Sequence, residues 1–292
     1  MFFFKKNDDK PKRFVVVTGT SPLALFLAYI LQQNNVEVVI LDTLKRNKTD
    51  KTESWLFKSN FQNQGFSIKF CNELNKKPEY CFLASSFDEY RNDLLALSDD
   101  FLKGVKVVNF ASFYNHELIE QMENVDEIRA YFTGWLMKSK KEITMLNRNA
   151  EIKICSMGNI EKDFQAILND KKLEVKFGKD SKKTFWQKMS AWFLGNLLVL
   201  AYENDVSKIM LNNELRQNTD VAMKEISQIL KTKEVQIDTQ TLLTDVYAFP
   251  DGFVSEYASL RGLNSLSEMI EIPDYFNHPK LFEMIKKALK KY

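Results

Sequence analysis

The sequence predicts an α/β protein in two parts, a parallel-sheet N-terminal half followed by an all-helical C-terminal half. Three observations carry this. Phe14-Val15-Val16-Val17 is a continuous apolar, β-branched run, the pattern of a strand buried on both faces of a parallel sheet. A tight turn, a helix and a second strand follow it within about 30 residues. The alternation of strand-like and helix-like segments then stops near residue 180, beyond which the pattern is helical almost throughout.

The elements follow in order. Thr18-Gly19-Thr20 ends the first strand. Ser21-Pro22 supplies an N-cap and a first-turn proline, and Leu23 to Gln33 follows as a helix. Asn34-Asn35 closes that helix, and Val36 to Leu41 forms a second strand ending at Asp42. This is a βαβ unit with an expected right-handed crossover, the start of a Rossmann-type domain. Further strands are expected at Ser67–Cys71, Tyr80–Ala84, Val105–Phe110, Arg129–Thr133, Ile152–Cys155 and Leu173–Phe177. Helices are expected near Phe87–Leu97, Glu117–Met122 and Glu161–Leu168. The later helices are Thr184–Asn204, Asn212–Leu230, Phe253–Ile272 and a basic amphipathic Pro279–Tyr292, whose Leu281, Phe282, Ile285 and Leu289 face its own domain. The polar stretch Gly178 to Lys183 marks the boundary. It divides the chain into a Rossmann-type domain over residues 1–181 and a helical domain over 182–292, with a small-ligand cleft between them.

Composition narrows the function. The 292 residues are 45% hydrophobic and 27% charged, and 41 basic against 39 acidic residues leave a formal net charge of +2. Mixed charge of this kind argues against a nucleic-acid groove or a polybasic membrane patch. Cys71, Cys81 and Cys155 lie far apart without metal spacing and read as structural thiols in a reducing compartment. His116 and His278 are the only histidines, too few for a zinc site or a histidine-based triad, and no metal is expected. His116 reads as a solvated or helix-start residue. MFFFKKNDDKPKR lacks the apolar core of a signal peptide. The most apolar stretch, Met189 to Tyr202, is too short for a bilayer and is interrupted by Asn196. A cytoplasmic protein, monomer or homodimer, is expected.

The first turn reads as a worn dinucleotide fingerprint. GxGxxG needs glycines for the tight turn, for close backbone approach to a pyrophosphate and for helix–strand packing. Here the six positions are Gly19-Thr20-Ser21-Pro22-Leu23-Ala24: the first glycine is kept, Ser21 replaces the second, and the small Ala24 replaces the third. The helix N-terminus remains an anion site, although Pro22 removes one donor, and the hydroxyls of Thr20 and Ser21 are expected to return some. Asp42 lies where an acid accepts hydrogen bonds from an adenosine ribose. It opposes a 2′-phosphate, which Lys45 and Arg46 just beyond would attract. The competing reading is a Rossmann-like domain that has lost its nucleotide.

Most of the remaining information lies in Phe185 to Asn196. Lys188 and Asn196 are two turns apart, so both point the same way from an otherwise apolar helix. A lysine against a hydrophobic face is suited to proton donation near neutral pH. On periodicity alone a second reading stands beside this, in which Lys188 snorkels to solvent and Asn196 caps a buried carbonyl.

With Trp186-x-Lys188 followed by Asn196, the chain resembles the ketopantoate reductase (2-dehydropantoate 2-reductase) family, as a divergent member. That family's corresponding segment carries its catalytic lysine and a substrate-binding asparagine. A second match lies in Gly252-Phe253-Val254-Ser255-Glu256-Tyr257-Ala258-Ser259-Leu260-Arg261-Gly262, where the first glycine, the glutamate and the last glycine recur in register. Thr244 falls at the family's substrate-binding serine. The resemblance covers almost the whole chain in order of elements. The family's asparagine four after the lysine is Trp192 here, its Asn-Gly after the fifth strand is Ser112-Phe113, and the lysine that commonly follows the fourth strand is Ser86.

The resemblance implies reduction of a small 2-keto acid by NADPH, with NADH admitted by Asp42, and ketopantoate as the substrate in coenzyme A biosynthesis. It casts Lys188 as general acid and Glu256 as the group that orients the substrate hydroxyl and pairs with Lys188. It casts Asn196, Thr244 and Ser112 as substrate-binding, and Gly19, Thr20, Ser21 and Asp42 as cofactor-binding. Trp192 and Phe113 would make the pocket bulkier, which fits another keto acid. A non-catalytic protein that kept the fold and lost the cofactor is the remaining class.

Overall fold

The computed structural model describes residues 13–42, 50–60, 62–85, 93, 97, 99–110, 126–146, 150–155, 160–171, 173–178, 182–232, 234–253 and 278–289. Eleven strands form one sheet: β1 (Phe14–Thr18), β2 (Glu37–Leu41), β3 (Lys51–Ser59), β4 (Gln62–Cys71), β5 (Tyr80–Leu83), β6 (Lys106–Asn109), β7 (Asp126–Thr133), β8 (Leu136–Ser139), β9 (Glu142–Met145), β10 (Ala150–Cys155) and β11 (Leu173–Phe177). The described helices are α1 (Pro22–Gln33), α2 (Asp99–Leu102), α3 (Ile160–Ile167), α4 (Lys182–Tyr202), α5 (Val206–Leu211), α6 (Asn213–Thr232), α7 (Thr239–Tyr247) and α8 (Pro279–Leu289).

The strand order is β11-β10-β7-β6-β5-β1-β2-β4-β3-β9-β8. From β4 through β2, β1, β5 and β6 to β7 every pair is parallel. This is the doubly wound order whose direction reverses between β1 and its neighbour, and the carboxyl ends of the strands at that reversal are where such sheets take ligands. Val15 and Val17 of β1 pack into one hydrophobic cluster with α1, while Val16 joins a second cluster with Cys81, Leu83, Leu102 and Val107 on the other face. Burial on both faces is why the strand is apolar at every position. Burial also pushes the Cys71 thiol up to about 11 and the Cys81 thiol up to about 12, in keeping with structural roles.

The expectation of a purely parallel sheet is corrected to a mixed one. β3 pairs antiparallel with β4 and parallel with β9, and β8 pairs antiparallel with β9. At the other edge β10 runs antiparallel to β7. β3, β8 and β9 were not expected from the sequence. β3 buries only Trp55 and Phe57, and apart from Leu56 its other side chains carry charge or hydroxyls, so it reads as a polar linker. The β8–β9 turn uses Lys140 at φ 50°, a conformation for which sequence rules look to glycine or asparagine.

These additions curl the sheet around α1. Tyr29 stacks on Phe57 at 4.4 Å, and Phe26 touches Phe57 of β3 and Phe132 of β7, each at 5.7 Å, although those strands are far apart in the sheet. Beyond residue 182 the described elements are all helices. Two corrections apply there. The helix expected over 212–230 runs to Thr232 and is preceded by the separate α5, and α7 was not expected. The helices expected over 87–97, 117–122 and 253–272 fall wholly or mainly outside the described residues. α8 packs on the other helices through Leu281, Met284, Ile285 and Ala288, and the Glu225 carboxylate of α6 accepts from the Lys280 and Leu281 amides that open it.

A four-ring cluster ties sheet to helices. Trp135, between β7 and β8, stacks on Trp192 of α4 at 5.3 Å and meets Phe249 at 4.2 Å and Phe253 at 5.4 Å. Gly195 lies under it: a Cβ there would come within 2.1 Å of the Phe249 ring. Since Trp192 and Trp135 hold that ring in place, Gly195→Ala is expected to cost about 1–3 kcal/mol of stability despite alanine's better helix propensity, read by urea denaturation. Unchanged stability would mean that the cluster yields.

Candidate active site

The carboxyl ends of β1 and β5 are stitched together at the strand-order reversal. Gly19 takes φ +80°, and a Cβ on it would sit 2.5 Å from Ser85 Cα, so glycine is required for both backbone and space. The Thr18 and Ser85 hydroxyls are 2.8 Å apart, and Ser85 Oγ donates to the buried Asp93. Ser21 Oγ donates to the Ala84 carbonyl and accepts from the Ala24 amide at 3.0 Å, capping α1. The Ser21 hydroxyl is therefore committed inward. The expectation that it returns a donor to an anion is corrected, because its single proton goes to the Ala84 carbonyl just past β5.

The amide supply at this turn is correspondingly lean. Pro22 has none and Ala24's is taken, which leaves Leu23 in the first turn of α1. A cation stands beside it. Lys138 of β8 donates from Nζ to the Thr20 carbonyl at 2.7 Å. Sequence reasoning missed Lys138, because Lys138-Ser139-Lys140-Lys141 reads as a solvated charge run. Asp42 is buried at the end of β2, with its amide donating to the Cys71 carbonyl at 2.8 Å.

In the helical part, α4 is apolar on nearly every side and buried, so its polar residues stand out. Lys188 Nζ donates to Asp245 Oδ1 of α7 at 2.7 Å; the lysine side chain is 40% exposed and the aspartate 20%. Asp245 Oδ2 is buried and has no hydrogen-bond partner among the described residues. α7 is fastened where it starts: Gln187 Nε2 donates to the Asp238 carbonyl and its Oε1 accepts from the Asp238 amide, both at 3.0 Å. Asp238 caps α7 through the Gln240 and Thr241 amides. Asn196, fully buried, donates to the Trp192 carbonyl one turn earlier at 2.9 Å, the carbonyl-capping bond that periodicity allowed. Thr244 is exposed and donates to the Gln240 carbonyl at 3.0 Å.

The structure thus brings Lys188, Trp192 and Asn196 onto one face of α4, with Asp245 opposite Lys188. It brings Gly19, Thr20 and Ser21 to the sheet's reversal, beside the end of β2 where Asp42 lies. Glu256 and Ser112 lie outside the described residues, as do Phe113, Ser86, Lys45 and Arg46. Sequence reasoning missed Asp245, Gln187 and Trp135. The signal for Asp245 was its spacing of seven from Asp238, one helix face apart by two turns, but threonines at 239, 241 and 244 hid the helix. Among the described residues no cluster of histidine, cysteine and acidic side chains could hold a metal, and no helix is long and apolar enough to cross a membrane.

The two parts of the site meet through one short strand. Trp135 stacks on Trp192, one turn from Lys188, and Lys138, three residues on, reaches the β1–α1 turn. In extended chain that step is about 10 Å.

No protein-family model and no curated protein matches the sequence. Solved structures match the fold over nearly the whole chain. A dimeric ketopantoate reductase from Staphylococcus aureus aligns with TM-score 0.72 at 15% identity, covering 95% of this chain and 99% of that one. A D-mandelate dehydrogenase solved with NADH and anilino(oxo)acetate aligns with TM-score 0.76 at 11% identity over 95% and 97%. A ketopantoate reductase from Ralstonia eutropha aligns with TM-score 0.73 at 10% identity over 95% and 99%. The chain has the fold of these enzymes.

Ser21→Ala removes the helix cap and the bond to Ala84 together. It is expected to lower stability by about 1–2 kcal/mol in urea denaturation; a neutral result would show that Ser21 does not hold the turn.

Proposed function

We propose that the chain is a divergent ketopantoate reductase-like enzyme, a nicotinamide-dependent reductase of a small 2-keto acid, divided near residue 181 into a dinucleotide-binding domain and a helical substrate domain. The single observation that carries the reading is the half-exposed Lys188 ammonium on a helix seated, through Trp192 and Trp135, against the strand that reaches the β1–α1 turn. The likeness of fold to ketopantoate reductases and D-mandelate dehydrogenase supports it.

The residues present fit a dinucleotide. Gly19 leaves the backbone bare where the turn is tightest, the Ser21 side chain is folded inward rather than out, and Lys138 brings a positive charge to a turn short of amide donors. Gly19, Thr20, Leu23 and Lys138 would hold the pyrophosphate, with Ser21 holding the turn's shape from behind, and Asp42 would hold the adenosine ribose. NADPH is the cofactor the resemblance favours, and NADH is admitted by an acid at Asp42. When bound, the nicotinamide supplies a hydride to the keto carbon.

This chain's residues then handle the substrate oxygen. Lys188 donates a hydrogen bond to the keto oxygen, stabilises the negative charge that develops there and passes it a proton. Thr244 and Ser112 would bind the substrate and Glu256 would orient its hydroxyl, while Asn196, fully buried and donating to the Trp192 carbonyl, would reach the substrate only if that bond were given up. The ring pair of Trp192 and Trp135 beside Lys188 excludes water from that side. The substrate assigned first is ketopantoate. Trp192, in place of a polar family residue, favours a second reading in which the 2-keto acid carries a bulkier, apolar side chain.

Fluorescence titration is expected to show binding of NADPH, NADH or both; binding of neither would leave only a non-catalytic protein on this fold. In steady-state assays with ketopantoate and with an aromatic 2-keto acid, Lys188→Ala is expected to lower turnover about a hundred- to ten-thousand-fold with the cofactor Kd nearly unchanged. Equal turnover in the variant would overturn Lys188's role. A higher kcat/KM for the aromatic acid would decide for the second reading.

A further inference from the structure

The ammonium that serves as the acid in the reductase reading is gripped by a carboxylate that belongs to none of the motifs carrying the resemblance. Asp245 lies one residue past the position matched to the family's serine, and its Oδ1 accepts from Lys188 at 2.7 Å. Its Oδ2 is closed off from water and bonded to nothing among the described residues, so the carboxylate's charge leans on Lys188. The contact is built rather than incidental. Gln187, next to Lys188, clamps the start of α7 in both directions, and this sets the rotation that turns Asp245 toward α4. Among the described residues, four charged groups of the helices around α4 have partners of their own, and Lys287 of α8 lies over the Tyr202 ring at the far end of α4. Asp238 caps α7, Lys208 pairs with Asp205, Glu225 caps α8 and Lys280 pairs with Glu283.

We infer that Asp245 is the positioning residue of the proposed reductase site, holding the Lys188 ammonium in place and acting on the reaction only through it. This rests on the reductase reading above. A lysine ammonium has three donors. One is spent on Asp245, which fixes a long side chain in one rotamer and leaves two to point at the oxygens of a 2-keto acid. As the hydride reaches carbon, the N–H bond of Lys188 breaks and an O–H bond forms on the substrate oxygen. The neutral amine keeps its hydrogen bond to Asp245 and regains a proton from water through its exposed side. Asp245 itself takes up no proton and touches no substrate.

Two measurements on the full chain test this. The first needs no substrate: acylation of Lys188 by an amine-reactive ester, followed by peptide mass spectrometry. Asp245→Asn is expected to speed the labelling of Lys188 several-fold while leaving other lysines unchanged. The second is a double-mutant cycle on turnover. Asp245→Asn alone is expected to lower kcat about ten- to a hundredfold with little change in the KM for the nicotinamide. In the Lys188→Ala background the same substitution is expected to change turnover less than about twofold, because the residue through which it acts is gone. If Asp245→Asn fails to fold, Asp245→Glu, which keeps the carboxylate, is expected to retain slow labelling. Unchanged labelling, or an equal loss of turnover in both backgrounds, overturns the inference alone. A wild-type chain that reduces no 2-keto acid overturns the reductase reading, and the inference falls with it.

Discussion

The stacking of Trp135 on Trp192 is the constraint on which the site depends. Trp135 belongs to the sheet, at the bend between β7 and β8, and Trp192 belongs to the long helix α4. Phe249 and Phe253 close the cluster from the segment after α7. Aromatic pairs of this kind contribute about 0.5–1.5 kcal/mol beyond the area they bury, and they prefer a narrow range of geometries. A cluster of four therefore does more than glue the parts together. It sets the rotation of α4 about its axis, and with it the direction in which Lys188, one turn earlier, points. Gly195 is the concession the helix makes: only a residue without a side chain lets Phe249 lie against the backbone there.

The β1–α1 turn keeps the tight geometry of its strand–helix junction with a single glycine. A dinucleotide turn with three glycines leaves its amides free and its surface bare. Here Ser21 follows Gly19 by two, but its hydroxyl faces inward, bonding the Ala84 carbonyl just past β5 on one side and α1 on the other. The gain goes to the stability of the turn, and the loss falls on the amides that would face an anion. Lys138 offsets that loss from an unrelated part of the chain, because the curled sheet lays β8 along α1. Charge replaces dipole. A lysine ammonium is a point charge, less directional toward any partner than a row of backbone amides.

The lysine site departs from a simple acid on an apolar helix. Lys188 is half-exposed and carries its counter-charge on α7, so the pair is neutral as a unit. Exposed ion pairs contribute little to stability, and this one is neither fully exposed nor fully buried. Its weight lies in geometry. Asp245 and the Gln187–Asp238 clamp hold two helices in fixed rotation, and a long flexible side chain is confined between them.

Much of the architecture was legible from sequence. The centre of the parallel core follows from β1, β2, β5 and β6, which are apolar nearly throughout because both faces are buried, while β4 and β7 beside them alternate between buried and exposed positions. The end of α1 at Asn34-Asn35, with Asn35 at φ 59°, follows from local backbone chemistry. The candidate site was legible where a motif had local meaning: the glycine at the turn, the acid after β2, and the lysine–asparagine spacing on α4. What the sequence left open has one cause. β3, β8 and β9 are buried on one face only, and α7 is short and rich in threonine, so their signals are too weak to separate from loop. The partners that matter most, Asp245 to Lys188, Trp135 to Trp192 and Lys138 to Thr20, are 57, 57 and 118 residues apart. Spacing along the chain reports only what one element puts on its own face. Which residue meets which across elements was decided by the curl of the sheet and the seating of α4 upon it.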